Sequence, residues 1–147
     1  MQSDNFLRKF EFYPDLVLRF ANESLLTEAK DIIKESCLHP ELAHVVSYDT
    51  TYLMGDFYVS SLVCRNIKLE GDPIFPVAFL VHERKHMRCH KEFFLDILKF
   101  LKLDKSTKVP FATDREKGIT KLLRHYFPNL TNVICTNHIL RDVDEWL

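Results

Sequence analysis

Two aspartates stand where a carboxylate needs a reason. Asp49 interrupts a β-branched, aromatic-rich stretch, residues 44–53 (HVVSYDTTYL), and Asp114 follows another short apolar stretch, 108–113 (KVPFAT). Burying a carboxylate without a partner is costly. Asp49 therefore calls either for hydroxyls, such as those of Thr50 and Thr51, or for a cation. Asp114 has an ordinary alternative, because Thr113 to Glu116 fits a capping box and an acid there favours the positive end of a helix. If the two stretches are neighbouring strands, the carboxylates meet. Two carboxylates that close repel unless a proton or cation separates them. Ligands that are all oxygen suit Mg²⁺ or Mn²⁺. Such ions activate a water or sugar hydroxyl and stabilise the leaving oxygen in phosphodiester chemistry.

Softer ligands also occur. Cys135 and His138 form a CxxH pair, two ligands short of the usual four of a zinc site. His82, His86, Cys89 and His90 could supply others, the three histidines at a helical spacing of four. The charged run from Glu83 to Arg88 equally suits a solvated loop or a first helical turn. No glycine-rich phosphate loop appears, and no Ser/His/Asp or Cys/His nucleophile pattern stands out.

The elements that must position these residues follow from periodicity. Residues 1–21 are Phe-rich, charged and broken by Pro14, and carry no clear period. Over 23–37, Leu25, Leu26, Ala29, Ile32, Ile33 and Cys37 recur at helical spacing, with Pro40 beyond. Residues 1–43 therefore read as a helical lead-in, and 44–147 as the domain proper. The period then becomes that of strands: 44–53, 57–69 and 74–82, separated by the turn signals Met54-Gly55-Asp56 and Glu70-Gly71-Asp72-Pro73. Short turns imply an antiparallel three-strand meander. Pro76 marks the third strand as an edge.

A helix over 89–103 buries Phe93, Phe94, Ile97, Leu98 and Leu101, and a second over 115–127 buries Ile119, Leu122, Leu123, Tyr126 and Phe127. Between and after them lie strands at 108–113 and 131–136, and residues 138–147 look helical. The fold class is α/β. It has a mixed five-stranded sheet, a meander plus two parallel strands, with flanking helices. A helical crossover returns the fourth strand parallel to an earlier one, and active sites gather where neighbouring connections diverge.

Composition sets the class of molecule. Of 147 residues 46% are hydrophobic, with twelve Phe, which is enough for a packed core. The net charge of -1 hides an uneven spread. Residues 1–83 carry 7 basic against 13 acidic groups, 84–125 carry 12 against 5, and 126–147 carry 1 against 3. The basic middle block either faces a phosphate backbone or solvates two surface helices. Met1 to Phe10 is polar and broken by charges, unlike a signal peptide. No apolar run approaches membrane-spanning length. The expectation is a protein kept inside the cell, nuclear or otherwise intracellular and not secreted. Its four cysteines are then thiols, and the glycosylation tripeptides at Asn22 and Asn129 are chance.

The segments Asp49-Thr50-Thr51-Tyr52 and Gly55-Asp56-Phe57-Tyr58-Val59-Ser60 are similar to the opening of Mutator-like element (MULE) transposase domains. So is Pro76-Val77-Ala78-Phe79-Leu80-Val81-His82-Glu83, followed by Glu92-Phe93-Phe94. Thr113-Asp114-Arg115-Glu116-Lys117-Gly118-Ile119 resembles the family's second acidic segment, and Cys135 to His138 with Leu140-Arg141-Asp142 resembles its CxxH block. The order and spacing of these segments, from about residue 44 to 147, carry the likeness. It implies an RNase H-like fold and a DDE-type active site for DNA transposition, meaning metal-dependent cleavage at transposon ends and strand transfer. Asp49 and Asp114 match the first two catalytic, metal-holding carboxylates. Mg²⁺ or Mn²⁺ is the implied cofactor and DNA the implied partner. Cys135 and His138 match a motif of structural or DNA-end role.

The family's third acid lies farther downstream than Asp142, Asp144 and Glu145. The chain is therefore expected to be truncated before it and weakly active or inactive alone. The family's zinc-containing DNA-binding domain is likewise expected to be missing ahead of Asp49, where only the short helical lead-in stands. A domesticated or degenerate fragment serving as a DNA-binding or protein-interaction module is the alternative, and an RNase H-like nuclease of another kind is a third. Self-association through apolar surface near Val133, Ile134 and Trp146 is a further expectation.

Overall fold

In the computed structural model the described residues are 6–39, 46–102, 110–114, 116–126, 128–129 and 131–134, excepting the side chains of 51–53 and 131–134. The chain runs β1 (Leu7–Glu11), β2 (Val17–Ala21), α1 (Glu23–Cys37), β3 (Val46–Met54), β4 (Phe57–Arg65), β5 (Ile74–His82), α2 (Met87–Leu101), β6 (Pro110–Thr113), α3 (Lys117–Tyr126) and β7 (Thr131–Ile134). The strands form one mixed sheet in the order β1-β2-β5-β4-β3-β6-β7. The meander β3-β4-β5 is antiparallel, β6 lies parallel to β3, and β7 lies parallel to β6.

Strand alternation decides which side chains meet the helices. Val46, Tyr48 and Thr50 of β3 are buried, as are Ser60, Leu62 and Cys64 of β4 and Ala78, Leu80 and His82 of β5. The registers Leu62↔Ala78, Ser60↔Leu80 and Tyr58↔His82 place these residues on one face. Against that face packs α2, burying Phe93, Phe94, Ile97, Leu98 and Leu101 as its period requires. The Phe94 ring lies 4.5 Å from that of Tyr48 and 5.9 Å from that of Phe111. It thus wedges the helix onto both β3 and β6. Ile119, Leu122 and Leu123 of α3 extend the same core.

Asn22, read above as the head of a chance glycosylation tripeptide, caps α1. Its side chain accepts a hydrogen bond from the Leu25 amide at 3.1 Å. Helix α1 buries Leu26, Ala29, Ile32, Ile33 and Ser36, whereas Cys37 at its end is exposed. Ser36 is accommodated because its hydroxyl donates to the Ile33 carbonyl at 2.8 Å.

Four expectations are corrected here. The sheet has seven strands rather than five, because residues 7–11 and 17–21 pair as a hairpin and β2 continues onto β5. The lead-in is accordingly helical only over α1. The hairpin escaped the hydrophobic pattern because Arg19 sits on the inward face, 6% exposed, where its guanidinium is paired with Asp96 of α2. The expected edge strand is β5, and it lies inside the sheet between β2 and β4. Pro76 is tolerated for a local reason. The β2 ladder ends at Ala21↔Ala78, and on the β4 side the register shifts between Leu62 and Val63, so Pro76 falls at a bulge beyond the reach of β2. Finally, the second strand stops at Arg65 instead of 69. There the Asn66 side chain accepts from the Lys68 amide at 3.1 Å and turns the chain.

Candidate active site

Parallel pairing brings the two singled-out aspartates level. The β3–β6 register runs Val46↔Phe111, Ser47↔Ala112, Tyr48↔Thr113. Carried one residue further, it sets Asp49 beside Asp114. Asp114 is the first residue past that pairing, at the end of β6. This is the point where β6 turns away while β3 continues to Met54, pairing only with β4 on its other side. Both aspartates are half-buried. Asp49 alternates with Tyr48 and Thr50, which fixes it on the face away from α2.

Asp114 sits ahead of a helix that begins at Lys117, so Glu116 does not take the third helical position that a capping box with Thr113 requires. The Asp114 Oδ1 accepts from the Glu116 amide at 3.0 Å, a reach of two residues that makes an Asx turn. The turn rotates the chain from β6 into α3 and brings the Glu116 carboxyl close to that of Asp114. Glu116, which the sequence offered only as a capping partner, has its pKa raised, first by burial and then by the Asp114 charge. Between the ordinary glutamate value and the raised one, the folded state holds a proton that the unfolded chain has released. Stability from this group is therefore present at low pH and lost as pH rises through the raised value. Glu116→Gln is expected to be stabilising at pH 7, with its advantage over the parent shrinking as the pH falls through the raised value and gone by about pH 4.5. Urea midpoints of both proteins across pH 4–8 check this, and a constant offset would contradict it.

The same end of the sheet carries a buried polar network on the α2 face. Tyr48 Oη lies 2.7 Å from His90 Nδ1. Ser60 Oγ bonds both Thr50 Oγ1 at 2.9 Å and His82 Nε2 at 3.1 Å. His82 Nδ1 is 2.9 Å from the Arg84 carbonyl, so that nitrogen carries the hydrogen. Burial lowers the pKa of both histidines, that of His90 to about 4, and raises that of Tyr48. Cys89 sits beside them. His86, grouped with these residues in the sequence, is exposed and pairs with Asp15 at 3.3 Å. The charged run from Glu83 to His86 is a loop, as its composition suggested, and α2 starts at Met87. The network itself was hidden in the sequence, since Tyr48 and His90 are 42 residues apart.

Two surface features flank this end. A cleft of about 530 Å³ opens between the Tyr13–Pro14–Asp15 turn and the start of α2, lined by Arg84, Arg88 and Glu92 among others. A second, between α2 and α3, is lined by Arg88, Lys91, Lys121 and His125. The basic block of the sequence is thus displayed on two adjacent helices. Cys135 and His138 lie outside the described residues, as do Asp142, Asp144, Glu145, Trp146 and the helix expected over 138–147. The side chains of Val133 and Ile134 are likewise outside them. No disulfide joins the described cysteines. No helix among the described residues is long and apolar enough to cross a membrane.

A mixed sheet in which a meander is followed by two parallel strands, with helices packed on it, defines an α/β domain. The chain belongs to the MULE transposase family: residues 45–142 match the MULE transposase domain. The match spans Asp49, Asp114, the buried network and the CxxH pair, and leaves β1, β2 and α1 ahead of it. A comparison with curated proteins found no match.

Proposed function

We propose that this is a DDE-type transposase domain with an RNase H-like fold, in which Asp49 and Asp114 hold Mg²⁺ or Mn²⁺ for cleavage and strand transfer at transposon ends. The observation that carries the reading is the parallel register that sets Asp49 level with Asp114. The order of elements supports the fold assignment, as a meander is followed by two helix–strand units and the second set of strands lies parallel to β3.

The residues fit a hard divalent cation. Asp49, Asp114 and Glu116 offer only oxygen, and the Asp114 charge already raises the Glu116 pKa. Bringing a cation there relieves that repulsion. When bound, the ion lowers the pKa of an attacking water or sugar hydroxyl and stabilises the leaving oxygen. The protein's own part is positional. Strand β3 fixes Asp49 through its ladder with β4, the Asx turn fixes Asp114, and Phe94 holds β3 and β6 in one rigid layer. Arg88, Lys91 and Lys121 offer a neighbouring basic surface for the phosphate backbone. DNA is therefore the proposed partner, and the nucleus or another intracellular compartment the proposed setting.

Calorimetric titration with Mn²⁺ tests the reading on the native chain, Asp49→Asn, Asp114→Asn and the exposed control Asp56→Asn. The expected result is saturable binding in the native chain and in the control, and its loss in the other two. Binding that survives both Asp49→Asn and Asp114→Asn sinks the proposal. No binding by any form, together with a salt-dependent shift of duplex DNA, would point instead to a DNA-binding module.

A further inference from the structure

The buried network on the α2 face contains a ligand set that the carboxylate site does not use. One ring nitrogen of His82, one of His90 and the Cys89 sulfur all lie within 4.8 Å of one another. His82 and His90 are fully buried and Cys89 is 7% exposed. The His82 and His90 rings meet edge to face with centroids 4.8 Å apart.

The hydrogen bonds decide which nitrogens are available. His82 Nδ1 donates to the Arg84 carbonyl, which leaves the Nε2 lone pair pointing inward, met only by the Ser60 hydroxyl. His90 Nδ1 is taken by Tyr48, and His90 Nε2 is buried with no hydrogen-bond partner. An N–H at that nitrogen would be a buried donor with nothing to donate to, a costly state. Placing the hydrogen on Nδ1, where it donates to Tyr48 Oη, turns Nε2 into a second inward lone pair. A ring nitrogen fixed by a carbonyl or hydroxyl while the other faces inward is the arrangement that orients metal-binding histidines.

We propose that His82, Cys89 and His90 bind Zn²⁺ through both Nε2 atoms and the Cys89 thiolate, fastening the end of β5 to the first turn of α2. Two imidazoles and a thiolate select a borderline-soft ion over Mg²⁺ or Mn²⁺, so this site is chemically separate from the Asp49–Asp114 pair. Bonds of about 2.0–2.3 Å set tetrahedral ligand atoms roughly 3.3–3.8 Å apart. The three side chains already offer ligand atoms within 4.8 Å of one another, so the group contracts by up to about 1.5 Å on binding. On binding, Ser60 releases His82 and keeps Thr50, 2.9 Å away. Cys89 gives up its proton to the buffer, since its pKa is raised by burial and it is a thiol before the ion arrives. Three protein ligands leave the fourth position to water.

Titrating the full chain with Co²⁺, a spectroscopic stand-in for Zn²⁺, tests this. A single equivalent should produce a thiolate-to-cobalt absorption band together with strong tetrahedral visible bands, and Zn²⁺ should displace both. Calorimetry with Zn²⁺ in buffers of different ionisation enthalpy should show about one proton released. Cys89→Ser should lose the thiolate band, and His90→Ala should weaken Zn²⁺ binding by at least tenfold. Tyr48→Phe, which removes the hydroxyl that partners His90 Nδ1 and also bonds Ser60, should weaken it by about 10–100-fold. Cys64→Ala and Cys135→Ser should leave the band unchanged. The proposal fails if the native chain gives no band. It fails equally if the band survives Cys89→Ser, or if Cys135→Ser abolishes it, which would give the ion to the CxxH pair. Circular dichroism of each variant separates loss of ligand from loss of fold.

Discussion

Phe94→Ala should lower the free energy of unfolding by about 3–5 kcal/mol, the range for removing a fully buried aromatic side chain. Phe94 is 0% exposed, and its ring touches those of Tyr48, Phe93 and Phe111. The substitution removes the apolar area of the ring and leaves a cavity bounded by β3, β6 and α2, three elements that cannot collapse independently. Against a typical total of about 5–15 kcal/mol the loss is large. Phe10→Ala is the matched control. Phe10 is 60% exposed on β1, and truncation there should cost about 0.5 kcal/mol or less. Urea denaturation of both variants gives the comparison, and a cost for Phe94→Ala below 1 kcal/mol would contradict the wedge described for it. Because the ring spans the two strands that carry Asp49 and Asp114, partial unfolding in this variant should also weaken Mn²⁺ binding.

Acidification should destabilise the protein through His90. Burial holds its folded pKa at about 4, against 6.5 in the unfolded chain, with the neighbouring His82 and Lys85 charges adding to the effect. Between those two values the unfolded chain takes up a proton that the folded one refuses. Stability is therefore present above pH 6.5 and lost progressively as the pH falls towards 4. At about 1.4 kcal/mol per pH unit over that interval the loss comes to about 3 kcal/mol. His82, also lowered by burial, contributes in the same direction. The quantity to measure is the difference between the native chain and His90→Gln, in the presence of chelator, from pH 7.5 to 4. Carboxylates that titrate below pH 5 cancel in that difference. A difference that stays flat with pH would show that His90 is not held neutral by its surroundings.

Much of the architecture could be read from residue patterns, and the failures have identifiable causes. The meander was legible because Gly55 and Asp56 mark a two-residue turn between β-branched runs. In the structure Met54 pairs with Phe57, and Gly55 takes a φ of +66°, which favours glycine. Helix α2 was legible because Phe93, Phe94, Ile97, Leu98 and Leu101 form one stripe. The parallel placement of β6 beside β3, on which any meeting of Asp49 and Asp114 depends, was legible only conditionally. The β1–β2 hairpin was not legible, because Arg19 faces inward and breaks the alternation, and its pairing with Asp96 and Glu92 of α2 makes that tolerable. Nor was the Tyr48–Ser60–His82–His90 network. Its members come from four elements; His82 and His90 stood out singly as possible soft ligands, but their hydrogen bonds to Ser60 and Tyr48 depend on the fold. Glu116 was visible only as a cap, since the crowding that raises its pKa depends on the Asx turn at Asp114.

The placement of Pro76 has a bearing on how the open edge of the sheet is guarded while the chain folds. An open strand edge is a template on which another chain can pair. Strand β5 would present such a template along Ile74–His82 in any state where the hairpin is undocked. Once β2 docks it covers Ala78 to His82, and the stretch it leaves bare is the one holding a residue with no amide hydrogen to donate. The exposed rim then passes to β1, which is five residues long, irregular between Leu7 and Lys9, and charged at Arg8, Lys9 and Glu11. Cover by a partner strand, a missing donor and a short charged border together guard one flank of the sheet against recruiting another molecule.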